Sequence, residues 1–181
     1  PPIEVGRFRL PGNVSPPLRH GFVIAGRQTP YKRFDLAIEA CNDLKVPLVV
    51  IGDGPDRAAS MELAAQLGVA DRILWRGHVK HGELPQLLSR ASALIAPFIE
   101  EGLGLVAAEA QLCETPPVGF ASGGLLDVIE NDVTGALVAP GNVAALALAV
   151  ERIVEDSALR ERLGKAGRVA ALARFSPESV D

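Results

Sequence analysis

Between Phe22 and Pro140 one pattern recurs: a short run that is apolar at nearly every position, then a longer stretch whose apolar residues return at helical spacing. Runs such as FVIAG (22–26) and PLVVIG (47–52) lack the polar alternate positions of a half-exposed strand, so a strand formed there must be covered on both faces. RILWRG (72–77), ALIAPF (93–98), PPVGF (116–120) and GALVAP (135–140) bring the series to six predicted strands. Helices are predicted at 32–44, 55–67, 83–91, 104–113 and 125–130, the first carrying Leu36, Ala37, Ala40, Cys41 and Leu44 on one face. Asn142 is placed to cap a further helix to about 154, and Ser157 another to about 174. Strict alternation of strand and helix predicts an α/β fold with a doubly wound, parallel, six-stranded, Rossmann-like sheet. Ligands of such sheets bind at the carboxyl ends of the strands, on the loops that lead into helices.

A chain of 181 residues suits one core, and the alternation assigns it to 19–175. Residues 1–18, rich in Pro and Gly, read as a linker that something precedes, and 176–181 as a tail. Apolar residues make up 48% and aromatics only 4%, which predicts an aliphatic core. With 18 Lys and Arg against 22 Asp and Glu, the net charge of −4 gives no electrostatic basis for binding nucleic acid or an anionic membrane. Any phosphate must be met by local groups. No apolar run reaches the roughly 20 residues of a membrane span, and the start lacks the charged-then-apolar build of a signal peptide. The expectation is a soluble, cytoplasmic chain without direct membrane contact. Cys41 and Cys113, both within helical patterns, read as small buried hydrophobes of a reducing compartment.

Two loops carry the chemistry. In GRQTPYKRF (26–34), Arg27 and Lys32 flank the turn from the first strand to the first helix. Two cations beside a helix N-terminus make a clamp for a diphosphate; spacing alone favours surface residues snorkelling from a loop. In IEEGLGLVAAEA (99–110), after the fourth strand, Gly102 and Gly104 let a backbone approach a ligand. The amides of Leu103, Gly104, Leu105 and Val106 would face it from the helix start. Glu109, one turn further, can accept from the two vicinal hydroxyls of a ribose.

Other chemistries fit less well. Were Glu101 and Glu109 the acid and base of a glycosidase, their carboxyls would stand about 5 to 9.5 Å apart, whereas eight residues of helix rise about 12 Å. Gly102, Gly104 and Ala107 match G-x-G-x-x-A, but a dinucleotide fingerprint follows the first strand, with an acidic residue about 20 positions on. An oxidoreductase binding NAD is therefore a minor alternative. GDGPD (52–56) completes neither a Walker loop nor a carboxylate cluster for a metal. His78 and His81 lack further ligands and read as a solvated loop, and Gly123–Gly124 as a tight turn.

Taken together, these loops resemble the C-terminal domain of retaining glycosyltransferases of family 4, also called group 1, which have the GT-B architecture. The likeness runs from Phe22 to about Phe175 through Gly26, Arg27 and Lys32, GDGP at 52–55, RGHV at 76–79, Glu101 and Glu109, and the later GG…TG ending at Thr134 and Gly135. It implies a donor-binding domain for sugar transfer from a nucleoside diphosphate sugar with retention of configuration. Arg27 and Lys32 would hold the diphosphate, with Gly26 at their turn. Glu101 and the backbone at Gly102, Leu103, Gly104 and Leu105 would hold the sugar, Glu109 the ribose, and the backbone near Val79 the base. It implies no metal and no cofactor beyond the sugar nucleotide, and an acceptor site in an N-terminal domain that this chain lacks, so that the isolated domain is inactive alone. Several positions depart from the pattern: Leu103 stands where Phe is usual, Phe98 where Ser is usual, and Glu114 and Asp132 where Gly is frequent. A left-handed Glu114 would cost about 1 kcal/mol, which predicts a different turn or slight strain there. These departures also permit a non-catalytic nucleotide-sugar-binding or regulatory module of the same fold.

Overall fold

A computed structural model describes residues 3–8, 19–80 and 82–175. All six strands form, each shorter than its apolar run: β1 (Phe22–Ala25), β2 (Leu48–Ile51), β3 (Ile73–Gly77), β4 (Ala93–Ala96), β5 (Pro117–Phe120) and β6 (Ala136–Val138). They pair in parallel in the order β3-β2-β1-β4-β5-β6. The order runs outward from β1 on one side and resumes with β4 on the other. With right-handed crossovers this reversal sends the helices that join β1 to β3 and those that join β4 to β6 to opposite faces and opens a crevice at the carboxyl ends of β1 and β4.

The helices are α1 (Phe34–Leu44), α2 (Arg57–Gln66), α3 (Leu84–Arg90), α4 (Leu105–Leu112), α5 (Leu125–Val128), α6 (Val143–Glu155) and α7 (Ser157–Phe175). α1 packs against α2 and α6, and α4 against α3, α5 and α7. β1, β4 and β5 are buried along their whole length, as their unbroken apolar runs require. β3, at an edge, alternates instead: Ile73 is buried while Leu74 and Arg76 are exposed. Phe22, Phe98 and Phe120 are the largest wholly buried side chains of the aliphatic core, each contributing about 1.5–3 kcal/mol by leaving water. Cys41 and Cys113 are free and buried, and burial pushes the Cys113 thiol up to about 12. No helix among the described residues is long and apolar enough to cross a membrane.

Four local features differ from the sequence reading or decide between its options. The first helix begins at Phe34 rather than 32, because a 3-10 turn at Pro30–Lys32 ends in a left-handed Arg33 (φ 49°). α7 is capped by Asp156 rather than Ser157: the Asp156 carboxylate accepts from the Leu159 amide at 2.9 Å, and Ser157 already lies in the helix. Glu114 does adopt the left-handed conformation (φ 54°), as does Asp132 (φ 59°), so strain is retained rather than a different turn. Within the segment read as a linker, residues 3–8 lie on the core with Ile3 and Phe8 buried. Residues 1–2 and 9–18 of that segment, and the tail at 176–181, lie outside the described residues.

A tight seam lies between α7 and the end of α4. A Cβ at Gly164 would stand 2.4 Å from the Glu114 carbonyl oxygen. α4 has no basic residue in its last turn, and its last carbonyls are met from afar. Arg19 donates to the Cys113 carbonyl (2.8 Å) and the Thr115 hydroxyl (2.6 Å), and Arg168 donates to the carbonyls of Leu112 and Phe8. Such orphan carbonyls need partners wherever water is excluded. Replacing Gly164 with Ala is expected to lower stability by about 1–3 kcal/mol in urea unfolding, the usual range for forced overpacking; an unchanged midpoint would refute the seam's tightness.

Candidate functional site

At the crevice between β1 and β4 lies an open cleft of about 720 Å³. Its floor is made where the loops after β1, β2 and β3 cross. The Gly26 amide donates to the Ile51 carbonyl (3.1 Å), the Gln28 amide to Asp53 (2.9 Å), the Asp56 amide to Gln28 (3.1 Å) and the Gly52 amide to Gly77 (2.7 Å). Two of these crossings leave no space for a side chain. A Cβ at Gly52 would meet the Gly26 carbonyl oxygen at 1.9 Å, and one at Gly54 the Gln28 carbonyl oxygen at 2.3 Å. GDGPD, which completes no phosphate loop or metal cluster of its own, is thus the strip on which the first loop rests.

Of the residues singled out from sequence, Gly26, Arg27, Lys32, Val79, Glu101, Leu105 and Glu109 all line this cleft. Gly102, Leu103 and Gly104 do not. Leu103 is 54% exposed, and Gly104, left-handed at φ 62°, packs on Gly124. The helix begins only at Leu105, so the amides it can present come from Leu105 and Val106, which both line the cleft. Those first N–H groups have no partner within the helix and carry its positive dipole end. Glycines 123 and 124 do more than turn the chain. The Gly124 amide donates to the Glu101 carbonyl (2.6 Å), and a Cβ at Gly123 would meet that same oxygen at 2.5 Å. The turn therefore clasps the Glu101 loop from behind.

The cleft mixes charge. Arg27 is exposed and makes no ion pair among the described residues. Lys32, by contrast, is paired with the Glu101 carboxylate, and both side chains are nearly buried. Sequence reading gave these two residues separate tasks; the pairing joins positions 69 apart and has no local signature. Burial pushes the Glu109 carboxyl up to about 7. At the opposite wall, Gly54 donates its amide to Asp53 (2.8 Å), which with the Arg57 guanidinium holds the Asp53 carboxyl below its ordinary range. His78 and Leu84 join Val79 at that end. The strand-to-loop position of His78, directly beside Val79, was the available signal for it; His81 lies outside the described residues. No group of three potential metal ligands occurs among the described residues.

Comparison with known proteins agrees with this geometry. The family described as Glycosyl transferases group 1 matches residues 16–170. A 2-deoxystreptamine glucosyltransferase of Streptomyces kanamyceticus is 35% identical over 157 residues, covering 84% of this chain and 40% of that protein. The chain thus spans about 40% of the length of that relative. Among solved structures, sucrose-phosphate synthase from Thermosynechococcus elongatus superposes with a TM-score of 0.88 at 30% identity, covering 98% of this chain and 48% of that one. The C-terminal domain of a group 1 glycosyl transferase from Francisella tularensis superposes with a TM-score of 0.83 at 22% identity, covering 99% of this chain and 100% of that one. At that identity the likeness concerns fold alone, but it takes in that domain from end to end. With residues 16–170 matched and nearly the whole chain superposed, the chain belongs to the group 1 glycosyl transferases and has the fold of their C-terminal GT-B domain.

Proposed function

We propose that this domain holds a nucleoside diphosphate sugar for transfer of the sugar, with retention of configuration, to an acceptor bound by a separate N-terminal domain. The observation that carries the reading is the convergence on one cleft of Arg27, Lys32, the start of α4 and Glu109. Two cations and a helix N-terminus together suit a diphosphate. Negative charge grows on that diphosphate as the sugar departs, and fixed positive groups beside it stabilise the transition state more than the ground state. Because these groups already supply positive charge, the reading requires no metal. Glu109 stands where a ribose can be held through its vicinal hydroxyls, the backbone at Val79 meets the base, and Glu101 faces the sugar. The names of the 2-deoxystreptamine glucosyltransferase and the sucrose-phosphate synthase support sugar transfer as the activity.

Calorimetry with UDP, GDP and ADP on the chain tests the reading directly. Binding of at least one is expected, weakened about tenfold or more by Arg27→Ala or Lys32→Ala, as follows from losing a charge-assisted hydrogen bond. Failure of all three nucleotides to bind would leave a module of the same fold without the donor site. Mixed with a nucleotide sugar and acceptors, the chain alone is expected to transfer nothing measurable, and turnover by these 181 residues would contradict the need for a second domain.

Glu109 gives the cleft a pH dependence. Its carboxyl, held at about 7 by burial, is mostly neutral at pH 6 and mostly ionised at pH 8. The ionised form is the better acceptor for two hydroxyls, so nucleotide affinity is expected to rise through pH 7 and level off above it. The folded protein alone has the opposite dependence. Burial disfavours the charged form, so this group's contribution to stability declines as pH rises from its unfolded value towards 7. Glu109→Gln should flatten the affinity profile; a profile that keeps its slope in that variant would remove Glu109 from the ribose.

A further inference from the structure

The Lys32 ammonium stands beside one carboxylate and two aromatic rings. The Glu101 carboxylate pairs with it, the Tyr31 ring centroid lies 5.6 Å from Nζ, and the Phe98 ring centroid lies 4.1 Å away. Phe98 is wholly buried, and the Lys32 side chain is 11% exposed. The neighbours differ in what an arriving anion does to them. Glu101 is a like charge to any phosphate, and a diphosphate competes with it for the cation. Phe98 is a neutral face fixed in the core, and its attraction for an ammonium persists whichever anion pairs with that ammonium. Lysine needs such a seat, because its charge rides on a flexible four-carbon stem that loses rotamer freedom when pinned.

We propose that Phe98 is the positioning residue of the cleft: its ring keeps the Lys32 ammonium seated while the ion pair with Glu101 is exchanged for one with the donor diphosphate. The inference rests on the sugar-nucleotide reading above and deepens it. The exchange links two subsites. Once released from Lys32, the Glu101 carboxylate is free to accept from sugar hydroxyls. Its backbone stays in place meanwhile, because the Gly124 amide holds the Glu101 carbonyl at 2.6 Å. Arrival of the phosphates thereby frees the group that meets the sugar. No bond is made or broken in this step.

The test compares UDP, GDP and ADP with uridine, guanosine and adenosine by calorimetry on the chain. Phe98→Met, which nearly keeps the volume but removes the ring, is expected to weaken nucleoside diphosphate binding about tenfold. Nucleoside affinity should not change, and Phe98→Tyr, which keeps the ring, should retain diphosphate affinity. In a Lys32→Met background the Phe98→Met change should have no further effect, since Phe98 acts through Lys32. A purely structural role would instead weaken nucleoside and diphosphate alike, or weaken both backgrounds equally; either result overturns the proposal. A readout on the unaltered chain stands beside the variants, should these fold poorly. The ε-methylene protons of Lys32 should resonate upfield from the ring current of Phe98 and remain so when the nucleotide is added. Loss of that shift on binding would show the ammonium leaving its seat. If the unaltered chain binds no nucleotide, the donor-site reading falls and this proposal with it; if it binds but Phe98→Met binds equally well, this proposal alone falls.

Discussion

The cleft depends on how closely two backbones cross at the carboxyl end of the sheet. Gly52 lies so near the Gly26 carbonyl that a single added carbon would occupy the space of that oxygen. That contact brings the loop after β1 down onto the loop after β2. The buried Gln28 side chain then secures it, its amide nitrogen donating to the Gly52 carbonyl at 3.0 Å. With the first loop lowered, the left-handed Arg33 ends the 3-10 turn and leaves Lys32 on the cleft side instead of on the first turn of α1. A cation that sequence spacing would place on a helix is thus delivered to the crevice by the backbone.

On the other side of the crevice the same principle operates with different parts. The Glu101 loop has no regular structure of its own, and the turn at Gly123 and Gly124 supplies its shape by hydrogen bonding and by steric fit. The two sides meet through Lys32 and Glu101, an ion pair with little access to water. Breaking a shielded pair without replacement is costly, because each charge loses its partner in a poorly solvating environment. A ligand that satisfies both partners at once avoids that cost, and a sugar diphosphate has the means to do so, with phosphates for the ammonium and hydroxyls for the carboxylate.

The fold was largely legible because its signal is local. Unbroken apolar runs such as FVIAG and ALIAPF admit few arrangements, and helix ends at Asn142 and Gly68 sit where short-range chemistry puts them. The position of Glu109 and of the Arg27–Lys32 loop at the cleft was legible for the same reason, since strand-to-helix loops lie at the carboxyl edge of a doubly wound sheet. What escaped was long-range or steric. Nothing near Lys32 announces Glu101 as its partner, and nothing near Phe98 announces that its ring will lie beneath an ammonium. The place of Gly102, Leu103 and Gly104 before a helix suggests cleft residues, but with the turn at Gly123 and Gly124 packed on that segment the helix starts at Leu105, and the amides at the cleft are those of Leu105 and Val106.

Arg19 and Arg168 stand near opposite ends of the matched stretch, yet both close the same helix terminus, the one furthest from the cleft. α4 is in this sense a beam fixed at its far end by residues from both ends of that stretch, with its near end presented to the cleft. A portion grafted or excised with α4 held at its far end must therefore keep both guanidinium groups. Both lie within the stretch at 16–170 that the family shares.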